Sequence, residues 1–124
     1  MKIENFEKYN WIWHDADLIL LKIVWSEDGI QTLLLRTELN PYEDRQLLIN
    51  LGLNTPKIDL IFHDVGNLMF KGPGDYSLRE VIVEWKIKKV GTSKAYKHEI
   101  ECSGGTELSF ICSQGIELKA TEDN

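Results

Sequence analysis

The sequence VIVEWKIK, residues 81–88, alternates between apolar and charged side chains over most of its length. Valine, tryptophan and isoleucine occupy its odd positions, and charged residues occupy the even positions from Glu84 onwards. Successive side chains of a strand point to opposite faces of a sheet, so this alternation is typical of a strand with one buried face. A similar period recurs at residues 95–102, 107–113 and 116–121. Four such segments in succession predict antiparallel strands.

The first half of the chain is more apolar. Residues 17–25 and 30–39 are separated by SEDG, residues 26–29, which is a strong hairpin signal. Both segments carry apolar residues on both faces, so we expect two central strands covered on each side for part of their length. We expect the core to be anchored by four residues of the first of these strands: Leu18, Leu20, Ile23 and Trp25.

Further strands are predicted at residues 58–63 and 80–90, with another possible strand around residues 68–70. A chain of 124 residues has the size of one domain, residues 1–124. The fold class predicted is mainly β: an antiparallel β-sandwich or partly open barrel of about seven strands with one or two short helices.

Residues 41–51 read differently from the strands. Asn40 can cap a helix, Pro41 suits its first position, Glu43 completes a capping-box spacing and Gly52 would end it. We predict either a short helix or an irregular loop here.

The net charge of −6 argues against a nucleic-acid-binding protein, which needs clustered lysine and arginine. An acidic surface suits a basic protein partner, or solubility alone. No apolar run approaches the ~20 residues of a membrane span. The first residues lack the apolar core of a signal peptide, so we expect a cytoplasmic protein without membrane contacts.

The two cysteines, Cys102 and Cys112, lie on either side of the turn at residues 103–106. Cys102 is at the turn and Cys112 is further along the return strand, so the two should not face each other. We expect two buried, unpaired thiols without a zinc site.

Two of the three histidines stand in His-Asp doublets, His14-Asp15 and His63-Asp64. These four side chains could bind one divalent metal if the two strand ends were neighbours. The alternative, which we favour, is that both doublets are polar ends of apolar strands. Asp15 and Asp17 share one strand face but are expected to be too exposed for acid-base chemistry. The sequence therefore predicts no catalytic residue and no cofactor, with a small enzyme or metal-binding protein as the alternative.

Tryptophan supplies much of the binding energy in protein interfaces. Trp11 and Trp13 are candidates for a partly exposed surface beside the acidic residues Asp15 and Asp17, and these four are the candidate partner-binding residues. The alternative, which we favour, is that both tryptophans form a lid over one end of the barrel or sandwich.

Trp13-His14-Asp15, followed by a long apolar strand and a hairpin, resembles the opening of small uncharacterised bacterial proteins built from antiparallel strands. Some of these are similar to immunity proteins of polymorphic toxin systems, which are often small, acidic, cytoplasmic and enzymatically inert. The resemblance implies a non-enzymatic binding protein of the bacterial cytoplasm, of which an inhibitor of a basic toxin is one form. It implies no particular partner-binding residue.

Overall fold

The computed structural model describes residues 2–27, 29, 31–41, 46–72, 79–113 and 115–122. These residues form nine strands: β1 (Lys2–Ile3), β2 (Asp17–Trp25), β3 (Gln31–Glu38), β4 (Lys57–Phe62), β5 (Gly66–Lys71), β6 (Glu80–Lys89), β7 (Ala95–Cys102), β8 (Glu107–Ser113) and β9 (Ile116–Ala120). They also form two 3₁₀ helices, Phe6–Lys8 and Asn10–Trp13, and one short α-helix, α1 (Gln46–Asn50).

All strands pair antiparallel, in the order β1-β9-β4-β3-β2-β6-β7-β8-β5. The ladder is shortest between β2 and β6, where only Asp17 and Leu18 pair with Val81 and Glu80. At this point the sheet divides into two layers. The first layer contains β1, β9, β4, β3 and β2, and the second contains β6, β7, β8 and β5. The sheet does not close, and the predicted fold class is confirmed.

The two layers pack face to face around aromatic rings. Phe62 on β4 contacts Phe110 on β8, with ring centroids 4.8 Å apart. It also contacts Trp85 on β6 and His98 on β7. Around these rings the core is aliphatic, and fully burying each such side chain contributes roughly 1.5–3 kcal/mol. The fully buried aliphatic residues include Leu33, Leu35, Ile58, Leu60, Ile82, Leu108 and Leu118.

The strands of the second half lie where the alternation predicts them, and two strands add to the predicted seven. One is the two-residue strand β1, and the other is β5 around residues 68–70. A bulge between Ile82 and Glu84 changes the register of β6. Because of this bulge Ile82 and Trp85 are buried, whereas Val83 is 46% exposed.

The expected burial of strand β2 is wrong for three of its four named residues. Leu18 is partly buried against the core. The side chains of Leu20, Ile23 and Trp25 are 39%, 38% and 66% exposed. Since β6 is antiparallel to β2 and begins at Glu80, β2 continues past the start of β6. Beyond Leu18 the described part of the chain supplies no second neighbour for β2, so among the described strands residues 19–25 lie at an edge.

The predicted C-terminal end of the helix at Gly52 is confirmed. Strand β3 and strand β4 are joined through α1, whose Leu48 is buried. The Gly52 and Leu53 amides donate hydrogen bonds to the carbonyls of Ile49 and Leu48, both at 2.9 Å. Gly52 has a φ of +87°, which a glycine adopts without steric cost. The predicted start around Glu43 falls in 42–45, outside the described residues.

The segment before β2 covers one end of the core. Phe6, Ile12 and Trp13 are all buried there. The Trp13 indole donates a 2.9 Å hydrogen bond to the Thr37 hydroxyl on β3. The Asn10 amide donates to the Trp85 carbonyl at 2.7 Å. Trp13 is therefore part of a lid over this end of the core, as favoured above, and the alternative of a partly exposed binding residue is wrong for it.

The two cysteines are free and buried, which confirms the expectation that they are unpaired. Cys102 lies opposite Ile82 on one neighbouring strand, and Cys112 lies opposite Tyr96 on another. Burial raises the pKa of each thiol to about 12, and nearby Glu80 and Glu101 add to the shift at Cys102. Thiols with so high a pKa are unreactive at neutral pH.

Within the described ranges, no helix is long and apolar enough to cross a membrane.

Candidate functional site

The two His-Asp doublets form turns at strand ends. Asp15 and Asp64 have φ angles of 65° and 53°, in the left-handed region that aspartate tolerates better than most residues. The Asp15 amide donates a 2.9 Å hydrogen bond to the Ile82 carbonyl, which extends the short ladder between β2 and β6. A structural role at the strand entry follows for this doublet.

The histidines of the doublets have different acidic neighbours. His14 Nε2 lies 3.6 Å from Asp15 Oδ2, and both side chains are about half exposed. His63 Nε2 lies 3.1 Å from Glu117 Oε2 on β9. No group of three or more metal-ligating side chains is assembled by the described residues, which include all four members of the doublets. The geometry thus does not bring the doublets together as one ligand set.

Asp17 takes part in a surface ion-pair network. It stands directly opposite Glu38 on β3. Arg79 lies between the two carboxylates, with Nη1 at 3.4 Å from Asp17 and 3.0 Å from Glu38. This arginine offsets the repulsion between two like charges on adjacent strands. Asp17 accordingly supports the start of β2.

Asp59 is the most deeply buried charged group among the described residues. Burial would raise its pKa, but hydrogen bonds from Arg36 and Thr121, with the positive charge of Arg36, outweigh this and lower the pKa. Arg36 donates at 3.0 and 3.2 Å, and the Thr121 hydroxyl donates at 2.6 Å. Arg36 on β3 and Thr121 after β9 both bind the carboxylate of Asp59 on β4, so these three side chains link three neighbouring strands.

His98 is a further buried titratable group. Its ring stacks on Phe110 at 4.9 Å and accepts a 3.0 Å hydrogen bond at Nδ1 from the Trp85 indole. Burial lowers its pKa to about 3. A neutral imidazole inside the aromatic core follows, in a position that serves packing.

The most prominent concavity lies on the outer face of the second layer. It is a groove of about 400 Å³ that crosses strands β5 to β8. Its lining includes Met69, which is 70% exposed, and charged side chains from the outward positions of all four strands. We call this concavity the groove.

Three glutamates stand in line across the groove. Glu84 on β6 is directly opposite Glu101 on β7, which is directly opposite Glu107 on β8. We call these three residues the acidic row. Like charges directly opposite each other destabilise a sheet by about 0.2–1 kcal/mol per pair. The fold therefore tolerates an electrostatic cost at this place.

The lysines around the groove form an ion pair with the acidic row only at its Glu84 end, although Lys71 on β5 stands directly opposite Glu107. Lys86 Nζ lies 3.5 Å from Glu84, while Lys88 and Lys97 both pair with Glu99 at 3.8 Å. Among the described residues, Glu101 and Glu107 have no ion-pair partner within 4.0 Å. Two carboxylates of the acidic row thus remain available to a cation or a basic side chain.

A second cavity adjoins the groove at β6. This cavity, the Trp11 pocket, has a volume of about 290 Å³ and is lined by Asn10, Trp11, His14 and residues 82–85. Glu84 lines both concavities, so they adjoin at this residue. Trp11 is 46% exposed there, and its indole donates to the Lys8 carbonyl at 3.0 Å. Of the four predicted partner-binding residues, Trp11 is the one that lies beside the groove.

The groove is not predicted by the sequence. Its charged residues appear there only as the polar positions of alternating strands. What the sequence lacks is the register that places Glu84, Glu101 and Glu107 side by side. The signal that could have indicated it is the acidic residue at a corresponding position of each strand, on either side of the turn at residues 103–106.

Comparison with known protein families and with curated proteins gives no significant match.

Proposed function

We propose that this protein is a non-enzymatic binding protein whose partner is a protein with a basic surface. The observation that carries the proposal is the acidic row in the floor of the groove. Two of its carboxylates lack an ion-pair partner among the described residues, and the repulsion within it would be relieved by a basic partner. Residues that lower the stability of the fold are expected at sites where function requires them.

The surroundings of the acidic row suit a protein partner. Trp11 beside Glu84 and Met69 on β5 are exposed apolar side chains at opposite sides of the groove, and such residues supply binding energy when a partner excludes water from them. Negative charge on one surface also accelerates encounter with a positively charged one. The proposal therefore combines two apolar anchors with an electrostatic centre.

An immunity-type inhibitor in the bacterial cytoplasm, which blocks a basic toxin, is one form that this function would take. Its support is the overall charge of −6 together with the resemblance of residues 13–25 described above. The alternative of an enzyme or metal protein using His14-Asp15 and His63-Asp64 receives no support from the positions of these doublets.

The test is a titration of the labelled protein with a peptide rich in lysine and arginine, followed by NMR amide shifts. We expect the largest shifts at the acidic row and Ser109, weakening as salt is raised. A variant with Glu84→Gln, Glu101→Gln and Glu107→Gln should lose binding.

The matched control replaces three exposed glutamates outside the groove by glutamine: Glu7, Glu27 and Glu122. It changes the net charge by the same amount. Equal loss of binding in this control would show that net charge, and not the groove, attracts the peptide, and the proposal would then be wrong.

A further inference from the structure

The spacing of the acidic row restricts the shape of what can bind it. Adjacent strands in a sheet lie about 4.7–4.9 Å apart. Because Glu84, Glu101 and Glu107 are directly paired neighbours, their backbone positions fall at about 0, 5 and 10 Å along a line across the strands. A partner must present three basic side chains at similar intervals to match all three.

An α-helix meets this requirement and an extended chain does not. A helix rises about 1.5 Å per residue, so side chains at i, i+3 or i+4, and i+7 share one face at about 0, 5 and 10 Å. An extended strand places same-face side chains about 6.7 Å apart, so its third one would be displaced by about 4 Å from Glu107.

We propose that the groove binds an α-helix of the partner, laid across β6, β7 and β8, with basic residues at i, i+3 or i+4, and i+7. This inference rests on the proposed function and names the element that the partner would insert. The row of Lys86, Glu99, Ser109 and Met69 runs parallel to the acidic row, two residues further along each strand. A helix is about 10 Å wide with its side chains and covers both rows.

The exposed Met69 fits the same geometry. Strand β5 follows β8 in the sheet, and its Lys71 stands directly opposite Glu107, one strand spacing beyond the end of the acidic row. Two residues earlier on β5, Met69 stands opposite Ser109 and ends the parallel row. A helix that continues one turn past its third basic residue reaches this position. We therefore expect the bound helix to carry an apolar side chain near i+10 or i+11.

The experiment compares two synthetic peptides of identical composition in an alanine-rich, glutamine-containing host. One carries lysine or arginine at i, i+3 and i+7, and the other carries them at i, i+2 and i+4. Affinity is measured by calorimetry for the wild-type protein and for the variant with all three residues of the acidic row changed to glutamine. Circular dichroism reports the helix content that each peptide gains on binding.

We expect the first peptide to bind wild-type protein about tenfold more tightly than the second and to gain helix content on binding. On the triple variant the two peptides should bind with equal affinity. Equal or tighter binding of the second peptide, still dependent on the acidic row, would overturn the helix inference and leave the basic-partner function standing. Equal binding of both peptides to wild-type protein and triple variant would overturn both.

Discussion

The segment Asn10–Trp13 and strand β2 are both mainly apolar, but their tryptophans differ in burial. Trp13 is fully buried and hydrogen-bonded to Thr37. Trp25, at the end of β2, is 66% exposed. Position in the sheet decides burial here, because Trp13 lies over an open end of the core whereas Trp25 lies beyond the start of β6.

The largest loss of stability is expected at Trp13, and it tests this difference in burial directly. Trp13→Ala should lower the free energy of unfolding by about 3–5 kcal/mol, because it leaves a large cavity and removes the hydrogen bond to Thr37. Trp25→Ala should lower it by no more than about 1 kcal/mol. Urea unfolding of both variants measures the contrast. A Trp25 variant at least as destabilised as the Trp13 variant would show that the strand end is buried in solution.

The same contrast holds for two leucines on neighbouring strands. Leu35 on β3 is fully buried and Leu20 on β2 is 39% exposed. Leu35→Ala should cost about 2–5 kcal/mol, and Leu20→Ala should cost about 1 kcal/mol. Both values come from the same denaturant titration. Comparable losses would restore Leu20 as the core anchor that its apolar neighbours in the sequence suggest.

The sequence supports the fold better than it supports the burial of individual residues. Alternation at residues 81–88 and in the later segments correctly indicates antiparallel strands, since the period of two is a local property of each segment. The exposure of Leu20 and Trp25 depends on where β6 begins relative to β2, which no local pattern records.

The acidic row could not be predicted from the sequence either, because it depends on how the strands are aligned. The outward positions of β6, β7 and β8 are visible in the sequence as charged residues, but their alignment depends on register. The bulge between Ile82 and Glu84 moves β6 by one residue relative to β7. Without that shift Glu84 would not stand opposite Glu101, and the acidic row would not exist.

A smaller effect concerns His98, which Phe6 of the N-terminal segment helps to enclose. Burial lowers the pKa of His98 to about 3, from an ordinary value of 6.5. Between these values the unfolded chain binds a proton that the folded chain excludes, so stability is full above pH 6.5 and falls as the pH decreases. The expected loss from His98 is about 2 kcal/mol between pH 7.5 and 5.

The control for this pH dependence is His98→Gln, which keeps an acceptor for the Trp85 indole but does not titrate. Unfolding free energies of both proteins at pH 7.5 and pH 5 give the difference, and contributions of the other histidines cancel. If wild type and variant lose the same stability between these pH values, His98 is accessible to protons and the N-terminal segment does not seal the core.

The smallest effect extends the comparison from the exposed strand β2 to the exposed groove. Glu101 stands between Glu84 and Glu107, so Glu101→Gln removes both like-charge contacts of the acidic row. We expect the variant to be more stable than wild type by about 0.2–1 kcal/mol in low salt. The gain should shrink as salt screens the charges. Glu7→Gln, on the exposed N-terminal segment, is the control and should change stability by less than about 0.5 kcal/mol.

The same Glu101 variant should bind the basic helical peptide more weakly, so one substitution would raise stability and lower affinity. These opposite effects distinguish a glutamate that serves binding from one that serves the fold. If Glu101 served the fold, removing its charge would make the protein less stable. A destabilised Glu101→Gln protein would mean that the carboxylate holds the sheet together, and the acidic row would then lose its role as a binding surface.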